Sequence, residues 1–328
     1  MLIIASKPGQ LGNRLFLFAQ FIGCARENRL TVMNPAFDDY ADLFETTSRD
    51  LFCRYPARTS TLPPNPAARR LLYRLCYYAA RVILRSGLNL PGVRAVALDW
   101  DETLELGSPA FLSTLKPRQL LLLQGWLFRD ERAVTRHADA IREFLAPRAE
   151  FQRNVSALVT RARAGADLLV GLHIRHGDYR TYRGGKYFYE LETYADVMRK
   201  VEALSPERRV AFLVCSNAEH DAQLFAPFRY TSGSGHLIED MYALAACDYI
   251  VGPPSTYTMW ASFYGQAPLY IVEDPRRTPQ LADFFVYNVE GTGAGRADMT
   301  TVNGVDDAGA SAASLDRSET ATRERIAR

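Results

Sequence analysis

Between residues 171 and 180 the chain reads GLHIRHGDYR, directly after the apolar run Leu168-Leu169-Val170. A surface loop needs polarity, but not two histidines and two arginines crowded beside a glycine. Arg175 offers a planar fork of donors that matches a phosphate, each charge-assisted bond contributing roughly 1.5–3 kcal/mol net. Gly177 permits close backbone approach. His173 either donates to a second ligand oxygen or sits buried against backbone carbonyls, and its residue type leaves both open. The chemistry indicated is the binding of an anion.

Two more stretches have that capacity. Gly252-Pro253-Pro254-Ser255-Thr256 also follows an apolar run and opens a helical pattern. Its hydroxyls either cap the helix or, with the free N–H groups of the first turn, bind phosphate. Near the N-terminus, Gly9-Gln10-Leu11-Gly12-Asn13-Arg14 follows Leu2 to Ala5. It reads either as an anion-approachable glycine turn or as a tight βα turn with Asn13 capping the helix. Two anion-competent loops in one half of the chain suit a diphosphate better than a lone carboxylate.

The elements that position these loops alternate in type. A strand at Leu2 to Ala5, a helix with Leu15, Phe18, Ala19, Ile22 and Ala25 on one face, and a strand at Leu30 to Met33 make a βαβ start. A loop at 56–66 precedes a basic amphipathic helix over 67–85. Its face Leu71, Leu75, Tyr78, Ala79 and Val82 either covers the N-terminal domain or meets a membrane surface near a lipid-linked glycan. Strands follow at 94–98 and 119–124, with helices at 129–145 and 150–164. The second half repeats the alternation: strand Leu168 to Ile174, helix Tyr187 to Leu204, strand Val210 to Cys215, helices at 218–225 and 239–246. Strand Tyr249 to Val251, helix 256–264, strand Leu269 to Val272 and a helical stretch at 279–285 complete it. This pattern predicts a doubly wound, mostly parallel sheet in each half, with domains at 1–150 and 151–290. Residues 291–328, poor in bulky apolar side chains, read as a disordered tail.

Composition narrows the class. A formal net charge of +2 in 328 residues gives no basic field for nucleic acid. Cys24, Cys53, Cys76, Cys215 and Cys247 are scattered without zinc spacing, and reduced thiols in a cytoplasmic protein are expected. The apolar run before Lys7 is too short for a signal-peptide core, and no stretch of about twenty apolar residues occurs. The expectation is a cytoplasmic chain, with a peripheral contact at the inner face of a membrane as the alternative for the basic helix. A dinucleotide-dependent dehydrogenase is disfavoured, because no acidic residue follows the glycine turn near Met33 and Asn34.

The motifs together carry a family resemblance. H-I-R-H-G-D-Y at 173–179 is similar to the H-x-R-R-G-D-Y motif of the α-1,2-fucosyltransferases and their α-1,6- and protein O-fucosyltransferase relatives. In the same order, GQLGNRLFLFA at 9–19 resembles GGLGNQMFQYA, and LQGWLFRDERAVTRHADAIREFL at 123–145 resembles the GYWQSEKYF…IR segment. Ser216-Asn217-Ala218-Glu219 matches S-D-D, and residues 240–261 resemble D-x-x-x-M-S-x-C-x-x-x-I-I-A-N-S-T-F-S-W-W. The chain departs at His176, where the pattern has a second arginine, at Arg14 for glutamine, at Pro254 for asparagine, and in keeping one tryptophan, Trp260, of a pair. The resemblance implies a GT-B-like fold of two Rossmann-like domains facing a cleft, with the nucleotide held by the C-terminal half. It implies inverting transfer of fucose from GDP-β-L-fucose to a glycan acceptor, with no metal and no cofactor. On that footing Arg175 clamps the diphosphate with Ser255 and Thr256, and His173 adds a donor contact. Asp240 meets guanine or ribose, and Asn13 and Arg14 border the cleft. Asp178 either accepts the proton of the attacking hydroxyl or only pairs with Arg175 or Arg180.

Asp99-Trp100-Asp101 is formally a D-x-D, the pattern by which another glycosyltransferase architecture holds a divalent metal. It falls in the half that the resemblance does not assign to the nucleotide, and it reads as a solvated turn. Transfer should therefore survive EDTA, and an Asp99→Asn, Asp101→Asn double variant should keep most of its turnover. Loss of activity on chelation, restored by Mn²⁺ only in the unmutated chain, would contradict the metal-free expectation.

Overall fold

The computed structural model describes residues 1–61, 64–218 and 222–289. They fall into two compact units, one built on Met1–Arg148 and one beginning at Ala149. The tail expected at 291–328 lies outside the described residues.

The first unit runs β1 (Leu2–Ile4), α1 (Leu11–Glu27), β2 (Val32–Met33), α2 (Glu45–Ser48), β3 (Arg54–Tyr55), α3 (Pro66–Ser86), β4 (Val93–Ala97), β5 (Leu104–Glu105), α4 (Pro109–Leu112), β6 (Leu120–Gln124), β7 (Phe128–Arg129), α5 (Glu131–Arg136) and α6 (Ala138–Phe144). Its five-stranded sheet has the order β3-β2-β1-β6-β4, parallel except for β3 at one edge. The apolar face expected of α1 is buried, together with Phe16, Leu17 and Phe21. The single helix expected at 129–145 is instead two. His137 leaves the helical conformation, its ring 2.6 Å from Glu27 at the end of α1, while Asp130 caps the first piece through Ala133.

Helix α3 forms where expected, with Asn65 capping it through the Ala68 amide, Pro66 in its first turn and Gly87 closing it in the left-handed conformation. Its orientation reverses the first of the two readings. Leu71, Leu75, Tyr78 and Val82 are 56–61% exposed, while Arg69 and Ala80 are buried. Ala80, Cys76 and Ile83 pack against Ile3, Ala5 and Leu122 of the sheet. Arg69 pairs with Asp42 and donates to the carbonyls of Thr47 and Ser48 at 3.0 and 2.9 Å. An arginine occupies the inward face because the turns around Asp42 and Thr47 supply its acceptors, a partnership invisible to helical periodicity.

The second unit runs α7 (Ala149–Arg163), β8 (Leu168–Ile174), α8 (Leu191–Glu202), β9 (Val210–Ser216), β10 (Tyr230–Ser232), α9 (Leu237–Ala245), β11 (Tyr249–Gly252), α10 (Thr256–Gly265) and β12 (Leu269–Ile271). All five strands are parallel, in the order β10-β9-β8-β11-β12. Central strand β8 is buried along its whole length, as a strand covered by helices on both faces must be. Val170 and Leu172 meet Val197, Met198 and Val201 of α8 in one core. Gly171 points the other way, where a Cβ would stand 2.6 Å from Leu244 of α9, so α9 reaches the sheet only because this residue is glycine.

Three expected helices are shorter. The stretch at 187–190 is not helical: Tyr187 and Tyr189 enter the core, Tyr189 donating to the Val272 carbonyl at 2.8 Å, and α8 starts at Leu191. Of the helix expected at 218–225, Ala222–Phe225 form a 3₁₀ turn, and residues 219–221 lie outside the described set. At 279–285 a 3₁₀ turn at Leu281–Asp283 gives way to Phe285, which bridges to Leu269 and extends the sheet hydrogen bonding.

The inward arginine generates a stability prediction. Arg69→Ala leaves two carbonyls and Asp42 without their donor and should cost about 2–4 kcal/mol in urea unfolding. Leu75→Ser on the exposed face should cost under about 0.5 kcal/mol. The reverse ranking would show that α3 packs by its leucine face.

Candidate active site

The site is built where β8 and β11 lie side by side. β8 is the first strand of its sheet, and the chain winds to one side through β9 and β10 before crossing to β11 on the other. At such a reversal the loops after two neighbouring strands diverge and leave a crevice at the carboxyl edge. Residues 175–180 leave β8 there, and Pro253 to Thr256 leave β11.

His173, near the end of β8, is 3% exposed, and its ring stacks on Tyr257 of α10 with centroids 4.9 Å apart. Neither ring nitrogen has a hydrogen-bond partner among the described residues. Burial, with the positive charge of Arg175 adding to it, pushes its pKa down to about 3, so the imidazole is neutral at physiological pH. A neutral ring can donate from one nitrogen and accept at the other.

Two residues on, the Arg175 amide donates to the Tyr194 hydroxyl at 3.3 Å, and its guanidinium lies over the Tyr179 ring and donates to Asp178 Oδ2 at 3.0 Å. Asp178 is half exposed and therefore approachable from solvent. A phosphate would compete with Asp178 for the guanidinium fork.

Gly177 has φ of +51°, and a Cβ there would stand 2.8 Å from Asn217 Nδ2, so this turn needs glycine. Asn217, at the end of β9, accepts from the His176 amide at 2.8 Å and ties the two loops together. The His176 ring stacks on Phe188 and contacts the Tyr189 carbonyl at 2.8 Å. The position that departs from the double-arginine pattern is thus a strut of the loop. Arg180 lies over Phe188.

On the β11 side, buried Ser255 is the N-cap of α10, its hydroxyl accepting from the Tyr257 amide at 3.2 Å. Thr256 is the first residue of that helix. Tyr179 joins the loops by donating its hydroxyl to the Pro254 carbonyl, and Tyr257 donates to the Leu237 carbonyl at 2.7 Å. Asp240, buried in α9, accepts from the Ser234 amide and hydroxyl and from the Gly235 amide. Desolvation holds its pKa above the usual carboxylate range. Its oxygens hold the 233–235 loop after β10, so any contact of Asp240 with a ligand would act through that loop.

The structure brings together His173, Arg175, Asp178, Ser255 and Thr256. Asn13 and Arg14 lie in the first unit, after β1. Gln10, not Asn13, is the N-cap residue of α1, which places Asn13 inside the helix and sets aside the capping reading. Arg14 pairs with Asp39 at 2.7 Å, donates to the Gly9 and Ala36 carbonyls and lies over the Tyr40 ring. Asp99 and Asp101 are exposed on a turn, and no group of three metal-ligating side chains occurs among the described residues. The cysteines are free thiols, Cys76 half-buried and the rest buried. The sequence reading missed Tyr179, Tyr194, Asn217 and Tyr257 as positioning residues. Three of them lie within or beside the quoted motifs, but a tyrosine's partner there is a distant carbonyl.

No protein-family model matches the chain, and no curated protein sequence matches it. Solved structures do. A mutant of Arabidopsis thaliana FUT1 in complex with GDP aligns with a TM-score of 0.55 at 14% identity, over 83% of this chain and 70% of that one. NodZ α-1,6-fucosyltransferase, from Bradyrhizobium, soaked with GDP-fucose, gives 0.48 at 16% identity, over 82% and 94%. POFUT1 in complex with GDP gives 0.46 at 11% identity, over 81% and 95%. The first of these likenesses shows the fold: two successive Rossmann-like α/β units of the GT-B-like kind.

The buried imidazole predicts a pH effect. His173 has a folded-state pKa of about 3, and the unfolded chain titrates near the reference value of about 6.5. Between those values the unfolded state binds the extra proton. Stability is therefore fully present above about pH 6.5 and falls with acidification, by at most about 1.4 kcal/mol per pH unit from this group. Urea unfolding at pH 7 and pH 5 should show a larger loss for the native chain than for His173→Asn. Equal losses would contradict a neutral, buried His173.

Proposed function

We propose that this chain is a glycosyltransferase that moves L-fucose from GDP-β-L-fucose to a hydroxyl of a glycan acceptor, with inversion and in α-1,2 linkage. One observation carries the reading: the guanidinium of Arg175 and the N-terminus of α10 emerge from adjacent parallel strands and are locked to one another through Tyr179 and Pro254. A cation beside the positive end of a helix dipole is a site for a doubly charged leaving group. The order of fucosyltransferase-like motifs, and the GDP and GDP-fucose held by the structural neighbours, support the choice of base and sugar.

In this mechanism the acceptor hydroxyl attacks the anomeric carbon as the bond to the diphosphate breaks. Arg175, with Ser255 and Thr256 at the head of α10, stabilises charge that grows on the leaving GDP, which removes the need for a metal. Asp178 receives the hydroxyl proton once the diphosphate has taken over its guanidinium partner. His173, neutral, donates to or accepts from the donor at the crevice floor. Asp240 presents the 233–235 loop to guanine or ribose. Asn13 and Arg14 contribute on the acceptor side, where a lipid-linked glycan is one candidate class.

A second reading has one observation behind it. The His176 ring is engaged by Phe188 and Tyr189, so positions 175 and 176 offer one guanidinium where the resembled motif has two. A GDP- or glycan-binding relative without turnover, or a transferase for another GDP-sugar, fits that departure.

Ligand-induced thermal shifts with GDP, GDP-fucose, GDP-mannose, UDP and NAD separate these. GDP-fucose and GDP should stabilise the chain and NAD should not. Arg175→Ala should lower transfer by roughly 10²–10³-fold, the size of effect when one preorganised donor is lost. Arg175→Lys should restore part of it, because a point charge lacks the bidentate fork. GDP binding without transfer to any glycan would favour the non-catalytic reading, and near-normal GDP affinity and turnover in Arg175→Ala would defeat the clamp.

A further inference from the structure

Helix α3 carries a surface that the proposed transfer does not use. Leu71, Leu75, Tyr78 and Val82 recur every three to four residues and form one stripe along a helix of 21 residues, roughly 31 Å long. They are 59, 60, 61 and 56% exposed, far from the burial that an amphipathic helix gives its apolar face in a globular core. Leu84 is 40% exposed, and Leu88 and Leu90, just beyond the helix, are 48 and 38% exposed. The stripe cannot roll inward, because the opposite face is fixed by buried Arg69 and by Ala80, Cys76 and Ile83 against the sheet.

Charge selects the occupant. Arg70, Arg74, Arg81 and Arg85 follow the same periodicity one step round the helix, on a single flank of the stripe, and the helix contains no acidic residue. Arg70, Arg74 and Arg85 enter no ion pair among the described residues, and Arg81 is held by Tyr77. A second copy of this chain would bring like charges together across such a face. An apolar stripe flanked by arginines instead matches an interface between acyl chains and anionic headgroups. No described helix is long and apolar enough to cross a membrane. We propose that α3 lies flat on an anionic phospholipid surface and docks the chain there as a peripheral protein.

The test is cosedimentation of the full chain with unilamellar vesicles of phosphatidylcholine, with and without about a third phosphatidylglycerol. Binding is expected to the anionic vesicles only and to weaken as salt is raised. An Arg70→Ala, Arg74→Ala, Arg85→Ala variant should bind about 100-fold more weakly, at about fivefold per arginine. A Leu71→Ser, Leu75→Ser, Val82→Ser variant should lose more than about tenfold. Both variants should keep the native melting temperature within a few degrees, since all six side chains lie at the surface. No binding by the full chain, or binding that neither variant weakens, would overturn the proposal. So would a dimer in sedimentation velocity that Leu75→Arg splits, because the stripe would then be an interface between copies.

Discussion

The hydrogen-bonded ladder between β8 and β11 decides what the second unit can present to a ligand. Val170, Gly171 and Leu172 lie in register with Tyr249, Ile250 and Val251, so both strands end at the same level of the sheet. Because the connections on the two sides run to opposite edges, nothing crosses over the gap between their loops. Arg175 and the head of α10 are neighbours for that reason. The Tyr179–Pro254 hydrogen bond and the His173–Tyr257 stack then set the spacing of the loops. Glycine at 171 lets α9 approach β8 on one face of the same sheet.

The electrostatics are local. A net charge of +2 over 328 residues gives almost no long-range field. Two parts give the crevice its positive character, the Arg175 guanidinium and the N-terminal end of α10, and the imidazole beside them stays neutral. Protonating His173 as well would place a second buried cation next to Arg175, and desolvation together with that charge forbids it. Asp178, 3.0 Å from the guanidinium, screens the arginine. The loop thereby avoids an unpaired guanidinium.

Much of this was legible in the sequence, for identifiable reasons. Strands β8, β9 and β11 announce themselves as continuous apolar runs, and each gives way to a stretch that carries glycine, proline or asparagine within three residues, so their place at the carboxyl edge follows from the alternation. The parallel order of the strands follows from the helices between them. What stayed hidden was partnership over distance. The α3 stripe was visible as a period, but a period does not say which way it faces. Asp42 and the carbonyls of Thr47 and Ser48, 21 to 27 residues away in sequence, draw Arg69 inward and turn the leucines out. Likewise Asp240 was readable as a carboxylate near a site but not as the residue that holds the 233–235 loop, and the core tyrosines shortened α8 by filling positions that helical periodicity also allows.

Hydrogen exchange with and without GDP tests the central claim most directly, because it reads the location of binding and not only its strength. The site described here predicts slowed exchange at 175–178, at Asn217 and in the first turn of α10, 255–259. Guanosine without the diphosphate should leave those amides unchanged. Protection by GDP confined to the first unit, for example at 9–14, or equal protection by guanosine, would contradict a diphosphate site at the β8–β11 edge.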